Sequence, residues 1–219
     1  MWCIQEITPE YRKRMYKILD LYKQPYNPLK PVLGLDEKPK QLLGEKRKAI
    51  PMKKGKTEKY DYEYIRNGNA NIFMSVEPKG GKRHTQVTHQ RTAKDFALYL
   101  KKLIIQKYAK AKKVRIVIDN LNTHKPKSLY ENLAKKEAEK ILKKVKFYYT
   151  PTHASWLNVA EIEIGIMDSQ CTRKRIKDFE LLQREVQAWE KRRNKERAKI
   201  NWTFTKQKAD QKLSKYYTE

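Results

Sequence analysis

Three acidic motifs stand out in a 219-residue chain that carries 51 Lys and Arg against 25 Asp and Glu: Leu35-Asp36-Glu37-Lys38-Pro39, Val117-Ile118-Asp119-Asn120-Leu121-Asn122-Thr123-His124, and Ser155-Trp156-Leu157-Asn158-Val159-Ala160-Glu161. Isolated carboxylates in so cationic a chain suit a divalent-metal site aimed at an anionic polymer. Asp36 and Asp119 each follow a short apolar run and read as strand ends. If the two strands are neighbours, about 4.8 Å apart, the side chains can converge on one cation. A hard cation such as magnesium takes oxygen ligands and keeps positions for water and phosphate. Two such ions, about 3.5–4 Å apart, clamp the attacking and leaving oxygens of an in-line phosphoryl displacement. Taken singly, an Asp at a strand end is more often a turn or a helix cap.

The third acid is left open by spacing. Glu161 and Glu163 sit about 200° apart on a helix of 3.6 residues per turn, so they cannot both enter one site. Both flank the apolar stripe of Leu157, Ala160, Ile164 and Met167 at similar angles. Asn158 shares the side of Glu161 and can hydrogen-bond a ligand or the carboxylate. His124 can position a phosphate or a neighbouring acid, the alternative being an ordinary loop histidine. His84, His89 and His153 share no ligand spacing, which speaks against zinc. No Walker loop and no GxGxxG occurs, so a nucleotide cofactor has no support.

The formal charge of +26 repels itself in a compact state, and a polyanion relieves it. Nucleic acid is therefore the expected partner, held by its backbone. Cys3 and Cys171 form no CxxC or zinc pattern and read as reduced thiols. No apolar stretch reaches the 18 or so residues of a membrane span, and the first residues lack the apolar core of a signal peptide. A cytoplasmic protein is expected, associated with nucleoid DNA and not with membrane.

The elements that must hold these residues follow from periodicity. Thr8-Pro9-Glu10 starts a helix carrying Tyr11, Met15, Ile18, Leu19 and Tyr22, and the proline-rich stretch from Gln24 to Pro31 ends it. Val32 to Asp36 predicts a strand, and 38–59, with nine Lys or Arg against two Glu, an exposed basic loop. Tyr60 to Arg66, Asn67-Gly68 and Ile72 to Val76 predict a hairpin turning at Asn-Gly. In it Tyr60, Tyr62 and Tyr64 cover a half-buried sheet face, base stacking being the other possibility. Gly80-Gly81 turns into a strand at His84 to Thr88, and Thr92 to Asp95 resembles a capping box opening a helix with Phe96, Leu100, Leu103, Ile104 and Lys107 on one face. Val114 to Ile118 is a buried strand, Pro126 opens a single helix through Leu129, Leu133, Ile141 and Leu142, and Val145 to Tyr149 is the next strand. A third helix runs from about Leu157, its start anchored in the core by Trp156. From about Thr172 the chain is helical and basic, with Phe179, Leu182, Val186 and Trp189 on one face. This order gives an α/β fold with a mixed sheet, whose ligands sit beyond the carboxyl ends of its strands.

At these residues the chain resembles DDE-type insertion-sequence transposases of the bacterial branch related to mariner. The likeness is carried by Asp36-Glu37-Lys38-Pro39, by Tyr60-Asp61-Tyr62-Glu63-Tyr64 with Arg66-Asn67-Gly68, by Asp119 to His124, and by Tyr149-Thr150-Pro151 running to Ser155 through Glu161. Ala188-Trp189-Glu190 and Arg192-Arg193-Asn194 add to it. The resemblance implies a ribonuclease H-like domain over 31–171, between an N-terminal helix and linker (1–30) and a basic helical extension (172–219). It implies Asp36, Asp119 and Glu161 as catalytic, metal-binding residues for two Mg2+ ions (Mn2+ substituting), the Asn-x-x-Glu pattern selecting Glu161. Asn120, His124 and Asn158 would position the site. Lys38, Lys40, Lys46, Arg47, Lys48, Lys53, Lys54, Arg192 and Arg193 would hold the DNA backbone. It further implies cleavage at element ends, strand transfer into target DNA, and a homodimer to hold two ends. Relatives carry helix-turn-helix modules ahead of the catalytic domain, whereas one helix is read ahead of Asp36, so end recognition is expected from a separately encoded part or is lost by truncation. A nuclease without strand transfer and an inactive DNA-binding remnant are the competing readings; three acids in place argue against the remnant.

Overall fold

The computed structural model describes residues 6–218; the reading of Cys3 lies outside them. Five strands form one mixed sheet in the order β3-β2-β1-β4-β5. They are β1 Val32–Glu45, β2 Tyr64–Glu77, β3 Lys82–Thr88, β4 Val114–Ile118 and β5 Val145–Tyr149. β1, β2 and β3 pair antiparallel, while β1 with β4 and β4 with β5 pair parallel. Alternation along the strands sends Leu33, Leu35, Phe73, Ile116 and Ile118 to one face. There they meet Phe96, Leu100 and Leu103 of α2 (Ala93–Lys102) and its π-helical continuation, Leu129 of α3 (Pro126–Asn132), and Ile141 of α4 (Lys135–Lys144). Each fully buried side chain of this kind contributes about 1.5–3 kcal/mol.

The opposite face is covered in two parts. Val76 and Val117 pack with Met15, Ile18 and Tyr22 of α1 (Pro9–Lys23) and with Leu157, Val159 and Ala160 at the start of α5 (Val159–Met167). Ala70, Ile72 and Met74 pack with Met167 and with Leu182, Val186 and Trp189 of α6 (Phe179–Glu196). Ala209 of α7 (Lys206–Leu213) closes over α1, and a parallel bridge between Ile7 and Tyr217 ties the two ends together.

The capping box at Thr92 and Asp95 forms, and Thr8 caps α1. Several other expectations are corrected. β1 does not end at Asp36 but continues through Lys38, Pro39 and Lys40 to Glu45, so 38–45 is strand and not loop. Pairing with β2 holds it there, and Pro39, which has no N–H to donate, lies beyond the reach of β4, where a donor is dispensable. Asn67-Gly68 is no hairpin turn. Gln41 pairs with Asn69 and Leu43 with Arg66, so Asn67 and Gly68 together oppose Leu42. Gly68, at φ +98°, spends its conformational freedom on this bulge inside one long strand.

The real hairpin joins β1 to β2 through 46–63. Ile50 pairs with Lys59 and Lys53 with Lys56 around Gly55. Tyr60 and Tyr62 are exposed on it, 61% and 84%, rather than covering a sheet face. The helix from Pro126 breaks into α3 and α4 at Leu133 and Ala134, both extended. Lys107 is exposed beside the buried Leu103 and Ile104. Trp156 is not a core anchor: it is 40% exposed, its ring edge-on to Phe204 at 5.3 Å.

Candidate catalytic site

The parallel register of β1 with β4 pairs Leu33 with Ile116 and Gly34 with Val117. Carried two residues on, the same offset sets Asp36 level with Asp119, and the period-two alternation puts both on the face covered by α1 and α5. Asp119 lies one residue past the end of β4, as its apolar run predicts, whereas Asp36 is an interior residue of a longer strand.

α5 brings the third acid. A Cβ on Gly34 would stand 2.6 Å from Val159 Cγ1, 2.8 Å from the Ala160 nitrogen and 2.8 Å from Asn158 Oδ1. The absence of that carbon lets the first turn of α5 rest directly on β1. Asn158 then works in two directions. Its Oδ1 accepts from the Ala160 N–H as the helix cap, and its Nδ2 donates to the Leu35 carbonyl at 2.8 Å and to Asp36 Oδ2 at 3.2 Å. Asn158 is fully buried, so these bonds fix the distance between strand and helix. Glu161, in the first turn, is exposed toward this rim.

Glu163 has a different task. It is fully buried, receives both Nε and Nη2 of the buried Arg83 at 2.8 Å, and takes Arg193 Nε at 3.1 Å. Glu163 is thus committed to two guanidinium groups, whereas Glu161 is exposed.

Burial raises the Asp36 pKa to about 7; the Glu37 N–H opposes this, and the neighbouring charges of Glu37, Asp119 and Glu161 add to it. For Asp119 burial works upward, but the His124 ring and the Leu121 N–H hold the carboxyl below the usual carboxylate range. His124 is buried, with Nδ1 2.5 Å from Asp119 Oδ1 and Nε2 3.0 Å from Glu37 Oε2. Burial opposes its protonation, yet the two carboxylates outweigh burial and raise its pKa to about 9. A protonated His124 therefore fixes Asp119 from behind. Glu37, which spacing did not single out, completes this support; nothing in the sequence separates it from an ordinary strand-edge acid. Asn120 donates to the Thr150 carbonyl at 2.5 Å and so ties the end of β4 to the end of β5.

The donor chemistry fits a hard divalent cation: carboxylate oxygens only, one of them raised in pKa by burial and, to a lesser degree, by neighbouring negative charges that a cation would relieve. Among the described residues no three acidic, histidine or cysteine side chains already stand at ligand spacing.

The basic residues divide sharply. Lys40 donates to the Thr172 and Lys174 carbonyls, at and just past the end of the π-helical turn (Asp168–Thr172) that continues α5, and Lys38 pairs with the Asp168 carboxylate at 3.3 Å, so both are engaged within the chain. Arg193 is held by Glu163, and Lys46 and Arg47 pair with Glu63 and Asp61 across the β1–β2 hairpin. Lys48, Lys53, Lys54 and Arg192 are exposed.

A mixed sheet of this order, with Asp36 inside β1, Asp119 just past its parallel neighbour β4 and Glu161 on the helix that follows β5, defines a ribonuclease H-like α/β fold. Residues 31–183 match the family described as DDE superfamily endonuclease, and the chain belongs to that family. No curated protein matches it significantly. Similar solved structures include the Mos1 transposase paired-end complex with left transposon end, at 15% identity and a TM-score of 0.41, covering 91% of this chain and 66% of that one. The Mos1 mariner paired-end complex with Mn is 14% identical with a TM-score of 0.39, covering 92% and 67%. The Mos1 strand transfer complex is 13% identical with a TM-score of 0.40, covering 86% and 59%. The chain thus spans between 59% and 67% of the length of these chains. No helix among the described residues is long and apolar enough to cross a membrane.

Proposed function

We propose that the chain cleaves DNA phosphodiester bonds at the ends of a mobile element and joins the freed 3′-OH to target DNA, with Asp36, Asp119 and Glu161 holding two Mg2+ ions, or Mn2+ in their place. The observation that carries this reading is the contact of α5 on Gly34. It ties α5 to β1 beside Asp36 through Asn158, and the charges of Asp119 and Glu161 both act on the Asp36 carboxyl. Bound divalent ions supply charge neutralisation at the phosphate and a stronger oxygen nucleophile.

The chain's own residues do the rest. His124, protonated between Asp119 and Glu37, keeps Asp119 ionised and oriented. Asn158 fixes the Asp36 carboxylate against rotation, and Asn120 holds the rim by its bond to Thr150. Lys48, Lys53, Lys54 and Arg192 bind backbone phosphates without reading sequence. Two copies hold two element ends in this reading, a helix-turn-helix part outside 31–183 recognises the terminal repeats, and the reaction takes place on nucleoid DNA in the cytoplasm.

Supercoiled plasmid nicking with magnesium tests the chemistry. Wild type should nick, while Asp119→Ala falls at least about a thousandfold, the scale on which loss of charge stabilisation registers in a rate. Equal nicking by both proteins, or none by wild type, defeats the proposal. Joined products from a pre-cut end separate strand transfer from simple cleavage.

A further inference from the structure

We propose that the cleft between α1 and the edge strand β5 holds a single DNA strand as it leaves the catalytic rim, an inference that rests on the cleavage reading above. The cleft has a volume of about 810 Å³ and is walled by α1, by β5 and by the start of α3. A space of this size lies in the range of small-ligand clefts and admits one extended strand, not a duplex turn. Its inner end is Asn120, the residue after Asp119, with Arg14 Nη1 3.5 Å from Asn120 Oδ1. The cleft thus adjoins the rim at the residue beside Asp119, while the three acids themselves lie outside its lining.

Charge selects the occupant. Arg14, Lys17, Lys125, Lys127 and Lys146 line the cleft. Its two acids are already engaged, Glu10 with Arg14 at 2.9 Å and Asp20 with Lys206 at 2.5 Å. Lys17 and Lys146 are exposed and have no carboxylate partner among the described residues. Lys146 lies 5.3 Å from the centroid of the Tyr148 ring, so a cation and a π-face stand together on the strand. Backbone-tracking cations beside aromatic faces are the pattern that holds single strands without sequence preference. β5 pairs with β4 alone, which leaves its other edge open to a peptide strand as well. Arg14 and Lys127 are paired with Glu10 and Glu131, and the three lining cations without a carboxylate partner among the described residues, Lys17, Lys125 and Lys146, favour the polyanion over that peptide.

The test compares full-length protein on a blunt duplex and on the same duplex carrying an oligo-dT overhang, by fluorescence anisotropy without divalent metal. The overhang should tighten wild-type binding about tenfold, as stacking and phosphate contacts of a few nucleotides provide. Lys17→Glu with Lys146→Glu should remove that advantage, yet keep blunt-duplex affinity within about twofold, because these lysines touch only the overhang. Both positions are exposed, and an unchanged urea midpoint verifies that the double variant is folded. Lack of an overhang advantage in wild type, its survival in the double variant, or an equal loss on both probes overturns the proposal. So does an extended peptide that displaces oligo-dT and binds the cleft more tightly. Asp119→Ala separates this from the cleavage reading: it should lose nicking and keep the overhang advantage. Equal nicking by Asp119→Ala and wild type with the overhang advantage intact removes the cleavage reading alone.

Discussion

Glu161 and Glu163 stand two positions apart, one exposed and one buried against Arg83, and under the proposed function their variants should divide between chemistry and structure. Glu161→Gln removes a charge from an exposed position and should leave stability within about 0.5 kcal/mol of wild type while plasmid nicking is lost. Glu163→Gln leaves the fully buried Arg83 without its carboxylate and should cost about 3–5 kcal/mol, seen as a shifted urea midpoint. A destabilised Glu161→Gln, or a Glu163→Gln as stable as wild type, contradicts the assignment. His84 offers a pH test away from the rim. Burial first, then Lys107 and Lys82, push its pKa from 6.5 down to about 4. Its Nδ1 has no hydrogen-bond partner, and Glu190 on α6 stays 3.9 Å away. Between those two values the unfolded chain binds the proton and the folded chain does not. The contribution of neutral His84 is therefore complete above pH 6.5 and lost as pH falls toward 4. At ~1.4 kcal/mol per pH unit the most this histidine can withdraw is about 3 kcal/mol. Urea unfolding at pH 7 and pH 4.5 should show His84→Leu losing less stability than wild type over that interval; equal losses would exclude the effect.

Gly34 is where strand and helix meet, and it ties the fold to the chemistry. A methyl group there collides with the backbone nitrogen of Ala160 and with Asn158 Oδ1, neither of which is the free end of a flexible chain. Gly34→Ala should cost about 1–3 kcal/mol as α5 retreats. Nicking should fall by more than that loss of stability explains, because Glu161 retreats with the helix; activity measured where the variant remains folded separates the two effects. Nicking at the wild-type rate would mean that this contact does not set the site. The same neighbourhood marks how far the sequence was legible. Val114 to Ile118 and Asp119 were readable because a short apolar run ending in an acid is a local signal. The span of β1 was not, since Lys38 and Lys40 look like loop residues until their partners at the end of α5 are known. Asn67-Gly68 signals positive φ, but whether that freedom serves a turn or a bulge depends on Gln41 and Leu43 in the paired strand. Angles alone left Glu161 and Glu163 equivalent, and Arg83, on β3, is what parts them.

Net charge makes DNA binding plausible but says nothing about which cations carry it, and the fold sorts them. Of the 51 Lys and Arg, those at 38, 40 and 193 are spent on carbonyls and carboxylates within the chain. Those at 48, 53 and 54 stand on the hairpin beyond β1 and β2, beside the exposed Met52, Tyr60 and Tyr62. Each lysine that neutralises a phosphate releases close to one counterion, so its loss flattens the salt dependence of binding by a fixed step. Replacing Lys48, Lys53 and Lys54 together with Gln should make the slope of log affinity against log salt shallower by about 2–3 on random duplex, with the urea midpoint unchanged. Lys38→Gln with Lys40→Gln should do the reverse, lowering stability by about 1–2 kcal/mol through the lost bonds to Asp168, Thr172 and Lys174 while the salt slope holds. Should the second pair flatten the slope as much as the triple variant does, Lys38 and Lys40 leave their internal partners when DNA binds, and burial in the free chain is no guide to the DNA-facing surface.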